Sequence, residues 1–188
     1  MGHAKSKQLT LGEKTHWTFR YSHGGILRNR RRGRKARPLS TSAPIHLVLK
    51  TNRASLRRGL RSPLSQKIVT DTLKRYSKKF FVKIEQFSIG HDHIHLLVRL
   101  SRRSLGQYFF RVVAGQIAQQ FRLNGMMKVK ALKLWKFRPF TRVIQGWKPY
   151  LIVRNYIQLN EKEARGEIQY KPQRLKGLST SEWEALWN

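Results

Sequence analysis

Cysteine is absent from the 188 residues, which removes disulfides, thiolate metal sites and cysteine nucleophiles together and leaves imidazole, carboxylate or amide groups for any metal. Acidic side chains are scarce: 9 Asp and Glu stand against 40 Lys and Arg, a formal charge of +31. A chain that repels itself this strongly fits a polyanionic partner, and nucleic acid leads. An anionic membrane surface is the rival, but the basic residues run along the whole chain and no apolar stretch approaches transmembrane length, so no membrane partner is expected. Residues Met1 to Gln8 have no apolar core of signal-peptide type, which places the protein inside the cell. There are no internal repeats and no low-complexity segment beyond one arginine block. The length suits one domain with an added tail rather than two domains.

What is present centres on Gly90-His91-Asp92-His93-Ile94-His95-Leu96-Leu97-Val98-Arg99-Leu100. Val82, Ile84, Phe87 and Ile89 mark a strand before it, Gly90 to Asp92 a turn, and Ile94, Leu96, Val98 and Leu100 a second strand, so the stretch reads as a hairpin. The parity change between Ile84 and Phe87 predicts a bulge. Alternation projects His93 and His95 together from the face opposite the Ile94 set. Two neutral imidazoles on a rigid strand can hold one divalent cation and leave positions for water or phosphate oxygen. A His-apolar-His strand with no such role is the ordinary alternative.

Around this hairpin, Ile45 to Lys50 reads as a buried strand. Ser62-Pro63 opens a helix with Leu64, Ile68, Val69, Leu73 and Tyr76 at helical spacing. Ser104-Leu105-Gly106-Gln107 has a capping-box pattern ahead of a second helix, about 104–123. Val129 to Trp135 and Thr141 to Ile144 read as two strands. Lys148-Pro149 starts a third helix that fades before Gly166 and puts Tyr156 and Asn160 one turn apart on one face. The expected fold class is α+β, a central antiparallel sheet packed by helices, over 43–165. Residues 1–42 read as a basic arm in which Arg28, Arg30, Arg31, Arg32, Arg34, Lys35 and Arg37 track phosphates and Trp17 stacks on unpaired bases. Residues 166–188 form a C-terminal tail whose Trp183, Leu186 and Trp187 face one side of a short helix. His46 is either a core histidine or a support for the His pair.

The order strand, helix, His-Ile-His hairpin, helix, strands, Tyr helix resembles the single-tyrosine HUH transposases. It is more similar to the REP-associated tyrosine transposases of bacteria. Asp92-His93-Ile94-His95-Leu96-Leu97 and Arg154-Asn155-Tyr156-Ile157-Gln158-Leu159-Asn160 carry the likeness, which covers about residues 44–165. The resemblance implies an HUH, ferredoxin-like or RRM-like core and a bacterial, cytoplasmic and nucleoid-associated protein. His93, His95 and Asn160 would hold Mg²⁺ or Mn²⁺, and Tyr156 would attack a phosphodiester of single-stranded DNA at or near a hairpin. A phenol, with a reference pKa near 10, is a weak nucleophile at neutral pH, so a cation at the phosphate suits the chemistry. The product would be a 5′-phosphotyrosine and a free 3′-hydroxyl, with the protein a monomer or a homodimer exchanging tyrosine helices. Insertion-sequence relatives carry Gln where Asn160 stands, and Glu161 replaces the proline usual in the REP-associated branch.

Four further readings compete, one of them an RNA-binding protein of ribosome-associated type suggested by charge alone. A related relaxase or replication-initiator nickase would use the same chemistry. A domesticated hairpin-binding protein would keep the basic surface without turnover. His91-Asp92-His93-Ile94-His95 is also similar to the histidine-triad nucleotide hydrolases, which want an apolar residue at Asp92 and do not account for the charge.

Overall fold

Two strands with alternating apolar residues set the frame in the computed structural model, which describes residues 21–25 and 36–169. β1 is Ser22–His23, β2 Ile45–Lys50, β3 Val82–Ile89, β4 His93–Leu100 and β5 Phe140–Val143. The helices are α1 Pro63–Lys79, α2 Arg103–Leu123 and α3 Trp147–Arg165. β2 and β4 pair antiparallel from Ile45↔Val98 to Lys50↔His93. Because neighbours along a strand face opposite sides, Ile45, Leu47, Leu49, Ile94, Leu96, Val98 and Leu100 share one face, and none is more than 3% exposed. Each such side chain gains about 1.5–3 kcal/mol on leaving water. α1 and α2 pack against each other over this face, adding Ile68, Val69, Leu73, Phe109, Val113, Ile117 and Phe121 to the core.

The opposite face of β4 carries His93, His95, Leu97 and Arg99, and α3 lies across it over β3 and β4. A smaller core of Leu97, Ile144 and Ile157, with Tyr150, Val153 and Tyr156 against it, seats the helix. The full sheet is antiparallel with order β1-β5-β2-β4-β3. The expected bulge is present as a register shift between Ile84 and Gln86, and Ser62 caps α1 through its Oγ. Gly166, at φ 77, ends α3 in the left-handed conformation that glycine adopts without steric cost. The α+β class read from the sequence is the observed one.

Three local expectations change. Val129 to Trp135 is not a strand; the segment makes only the isolated bridge Thr51↔Trp135, because β5 already occupies the free edge of β2. Ser104 is not a cap: α2 starts at Arg103 behind Arg102, without a side-chain cap. Finally, Ser22–His23, inside the stretch read as an arm, pairs with β5 as the sheet's edge strand. Among the described residues no helix is long and apolar enough to cross a membrane.

Candidate active site

Strand register brings the histidines together before any contact between them is considered. Lys50 lies opposite His93, Val48 opposite His95 and His46 opposite Leu97, so His46, His93 and His95 project from one face. The rings of His93 and His95 are 4.7 Å apart between centroids, nearly perpendicular at 80°. His95 is buried, and its ring meets that of Tyr156 edge-on at 5.3 Å. Asn160 follows one turn after Tyr156 on α3, with its Nδ2 buried. The phenol from late in the chain and the imidazoles from its middle thus meet within one subunit.

Each imidazole is oriented by a group behind it. His93 Nδ1 is 2.6 Å from Asp92 Oδ1. A carboxylate only accepts, so Nδ1 carries a proton, which leaves Nε2 as the nitrogen free to offer a lone pair whenever the ring is neutral. Burial alone raises the Asp92 carboxyl, but the His93 hydrogen bond and the His93, Lys50 and Arg53 charges outweigh it and hold the group below the usual carboxylate range. His46 Nε2 lies 3.0 Å from His95 Nδ1. Burial first, and the Arg142 charge second, push the His46 imidazole down to about 4, so it is neutral at physiological pH. In the His46 tautomer whose Nε2 accepts from His95 Nδ1, His95 Nε2 keeps a lone pair.

The donor set fits a divalent cation with an incomplete protein shell. Among the described residues no three His, Cys, Asp or Glu side chains are grouped to hold a metal. A cation held by the two imidazoles would draw on an amide such as that of Asn160, on the tyrosine face, and on water or phosphate oxygen to complete its shell. Glu161 does not serve. Its carboxylate accepts from the Ile89 backbone N–H at 3.4 Å and pairs with Arg165 at 3.2 Å, on another side of the helix.

The competing tyrosines among the described residues lie elsewhere. Tyr150 is beside Glu85, and its phenol is pushed up by burial first and by the Glu85 charge second. Arg99 bonds the same carboxylate and lies over the Tyr150 ring, so this trio pins the first turn of α3 to the sheet. Tyr108 is half exposed on α2, and Tyr170 lies outside the described residues. His91 is a turn residue whose backbone oxygen accepts from Leu60. Of the arm residues expected on nucleic acid, Arg37 is described. Its Nη1 donates to Pro139 O at 2.9 Å and Thr141 Oγ1 at 2.7 Å, and burial, then Arg138, push its guanidinium down to about 10. Trp17, Arg28, Arg30, Arg31, Arg32, Arg34 and Lys35 lie outside the described residues. Sequence reasoning missed the role of Asp92. Its position next to His93, as one of only 9 acidic residues, was the available signal.

Comparison with known proteins bears on this arrangement. Residues 40–160 match the family described as Transposase IS200 like. The chain belongs to the IS200-like transposase family. The fold is similar to that of a REP-associated tyrosine transposase solved bound to a REP hairpin, with a TM-score of 0.57 and 15% identity over 81% of this chain and 91% of that one. A transposase-like structure from Deinococcus radiodurans R1 is a looser likeness, with a TM-score of 0.43 and 14% identity over 69% of this chain and 98% of that one. No curated protein matches.

Proposed function

We propose that this IS200-like transposase cuts and rejoins single-stranded DNA at or near hairpins through Tyr156. The observation that carries the reading is the Tyr156 ring standing 5.3 Å from the ring of His95 in the same chain, with His93 beside it. Tyr156 Oη attacks the scissile phosphorus, a P–O bond to the phenol forms, and the P–O3′ bond breaks. The phenol gives up its proton and the departing 3′-oxygen gains one, leaving a 5′-phosphotyrosine and a 3′-hydroxyl. One phosphodiester linkage is exchanged for another, so attack by a 3′-hydroxyl on the phosphotyrosine joins strands by the same route reversed, with no nucleotide cofactor.

His93 and His95, with Asn160, would hold Mg²⁺ or Mn²⁺, which would draw negative charge from the phosphate oxygens. Asp92 and His46 keep both imidazoles in the tautomer that presents Nε2, and the pinned first turn of α3 fixes the approach of the phenol. The site needs no residue from a second copy, which fits a monomer. The test is incubation of labelled hairpin-flanked single strands with purified protein and Mn²⁺. Cleavage that is lost on chelation, in Tyr156→Phe and in His95→Ala supports the reading. Cleavage that persists in Tyr156→Phe, or binding with no cleavage by the unaltered protein, defeats it.

A further inference from the structure

The tyrosine helix lies over β3 and β4, and on the same face of β2 and β5 the side chains of Val48, Lys50, Phe140 and Arg142 are half-buried or exposed. Register lays these residues out in rows that begin at the histidines. One row runs His95, Val48, Phe140, and the next runs Leu97, His46, Arg142. A third runs from His93 to Lys50, and the Lys136 backbone N–H donates to the Lys50 oxygen at 2.8 Å, which puts Lys136 beside it. Two strand spacings, about 10 Å, separate His95 from Phe140 across the sheet.

Two grooves flank this face, one toward each edge of the sheet, and they differ in charge. Beyond the β3 edge, a groove of about 820 Å³ is lined by Glu85, Glu161 and Glu167 as well as by Lys74, Lys162 and Arg165. Beyond β5, a groove of about 740 Å³ between α2 and residues 132–139 is lined by Arg122, Lys133, Lys136 and Arg138 and by no carboxylate. The three carboxylates of the first offset its three cations, whereas the second is uniformly cationic and attracts a phosphate backbone. Asp92 beside the strip is engaged with His93 and Arg53 and, at 4.0 Å, with the half-exposed Lys50, a pair weak enough for a phosphate to compete with.

We propose that the strand leading to Tyr156 lies on the β2–β5 strip and leaves past β5 toward the β1 side of the sheet, with a base stacked on Phe140 and phosphates on Lys50, Lys136 and Arg142. This rests on the reading that the site takes single-stranded DNA, and it adds the path and its direction. Phe140 supplies a flat apolar ring backed by Val48, and every base has a face to lay on it, so the stacking is sequence-tolerant. Lys50 and Lys136 are backbone neighbours, and Arg142 is two residues from Phe140 on the same face of β5, a layout in which they neutralise backbone charge without reading sequence.

The test measures binding without catalysis. A fluorescent oligothymidine is titrated with full-length protein in EDTA, and anisotropy is followed at several salt concentrations. The triple variant Lys50→Ala, Lys136→Ala, Arg142→Ala is expected to lower the slope of log affinity against log salt by about 2, at roughly 0.7 for each phosphate that is no longer neutralised. Phe140→Leu is expected to weaken binding roughly fivefold to a hundredfold, and to relieve the quenching of a 2-aminopurine placed next to the scissile position. Lys74→Ala with Lys162→Ala, on the other groove, is expected to change affinity less than the triple variant does. Because Phe140 is half-buried, crosslinking of 5-iodouracil DNA to the unaltered protein gives a second readout, expected within 136–142. Unchanged binding and salt slope in the triple variant, or an equal loss in the Lys74/Lys162 control, overturns the proposal, as does crosslinking confined to β3 or α1. Loss of binding in the strip variants, with no strand cleavage by the unaltered protein, leaves the path standing and removes the enzyme reading. Cleavage with unchanged strip binding does the reverse.

Discussion

Replacing Asp92 with Asn isolates the charge behind His93 while keeping an oxygen that can accept from Nδ1. In the native site Oδ1 is 2.6 Å from His93 Nδ1, and Oδ2 is 3.3 Å from Arg53 Nε and 4.0 Å from Lys50 Nζ. The Arg53 side chain is 75% exposed and that of Lys50 48%, so those two pairs are worth at most about 1 kcal/mol each. The His93 bond dominates. Hydrogen bonds to a charged partner contribute about 1.5–3 kcal/mol and neutral ones about 0.5–1.5. Removing the charge therefore costs the oriented imidazole about 1–1.5 kcal/mol, close to a tenfold change in an equilibrium. Mn²⁺ affinity, read from the electron paramagnetic resonance signal of free Mn²⁺ during a titration, is expected to fall about tenfold in Asp92→Asn. In Asp92→Ala the fall reaches roughly ten- to hundredfold, the range seen when a ligating histidine loses its support. The turn itself should survive, since Thr51 N and Oγ1 donate to the Asp92 backbone oxygen, at 2.7 and 2.9 Å, rather than to its side chain. Native Mn²⁺ affinity in both variants, with melting temperatures unchanged, would refute the assignment of Asp92 as the group that orients His93.

Stability of the metal-free protein should depend on pH through His46. The unfolded imidazole binds a proton near pH 6.5 and the folded one only near 4, so stability is full above about pH 6.5 and falls as pH drops toward 4. The loss from this group reaches at most about 3 kcal/mol, read as a falling urea midpoint. Asp92, held below its ordinary value, adds its own loss only below about pH 4. His46→Gln should flatten the upper window, and an unchanged slope there would count against a neutral buried His46. Gly106→Ala should destabilise, because a Cβ would lie 2.3 Å from Leu100 Cδ1 and 3.0 Å from Cδ2. Overpacking of about 1–3 kcal/mol is offset by about 1 kcal/mol of helix propensity, leaving a net loss of up to about 2 kcal/mol, so a urea midpoint above that of the native protein would contradict this packing.

How far the sequence discloses the molecule depends on whether a feature is local. The hairpin, its bulge near Glu85, the Ser62 cap and the shared face of His93 and His95 follow from alternation and turn chemistry within a few residues, and all are observed. The start of α2 was not legible at Ser104. Gly106 packs against Leu100 of the preceding strand, so the tight passage from β4 into α2, not a side-chain cap, sets where the helix begins. Val129 to Trp135 has the β-branched and aromatic residues of a strand but no free partner edge, which leaves Val129 and Leu132 88% exposed. The support of His95 by His46 spans 49 residues. It requires the β2–β4 register, which no local pattern contains. The same holds for Phe140, whose place beside the site exists only once β5 is laid against β2.

The central claim is that Tyr156 and the histidines act within one chain. Its most direct test mixes two inactive proteins, Tyr156→Phe and His95→Ala, with labelled hairpin DNA and Mn²⁺, and analyses protein–DNA adducts by denaturing gel and mass spectrometry. The account predicts a 5′-phosphate on Tyr156 in the unaltered protein and no adduct in either variant or in their mixture. An adduct restored by mixing would show that the site is assembled from two subunits, and an adduct on any other residue would contradict the role given to Tyr156.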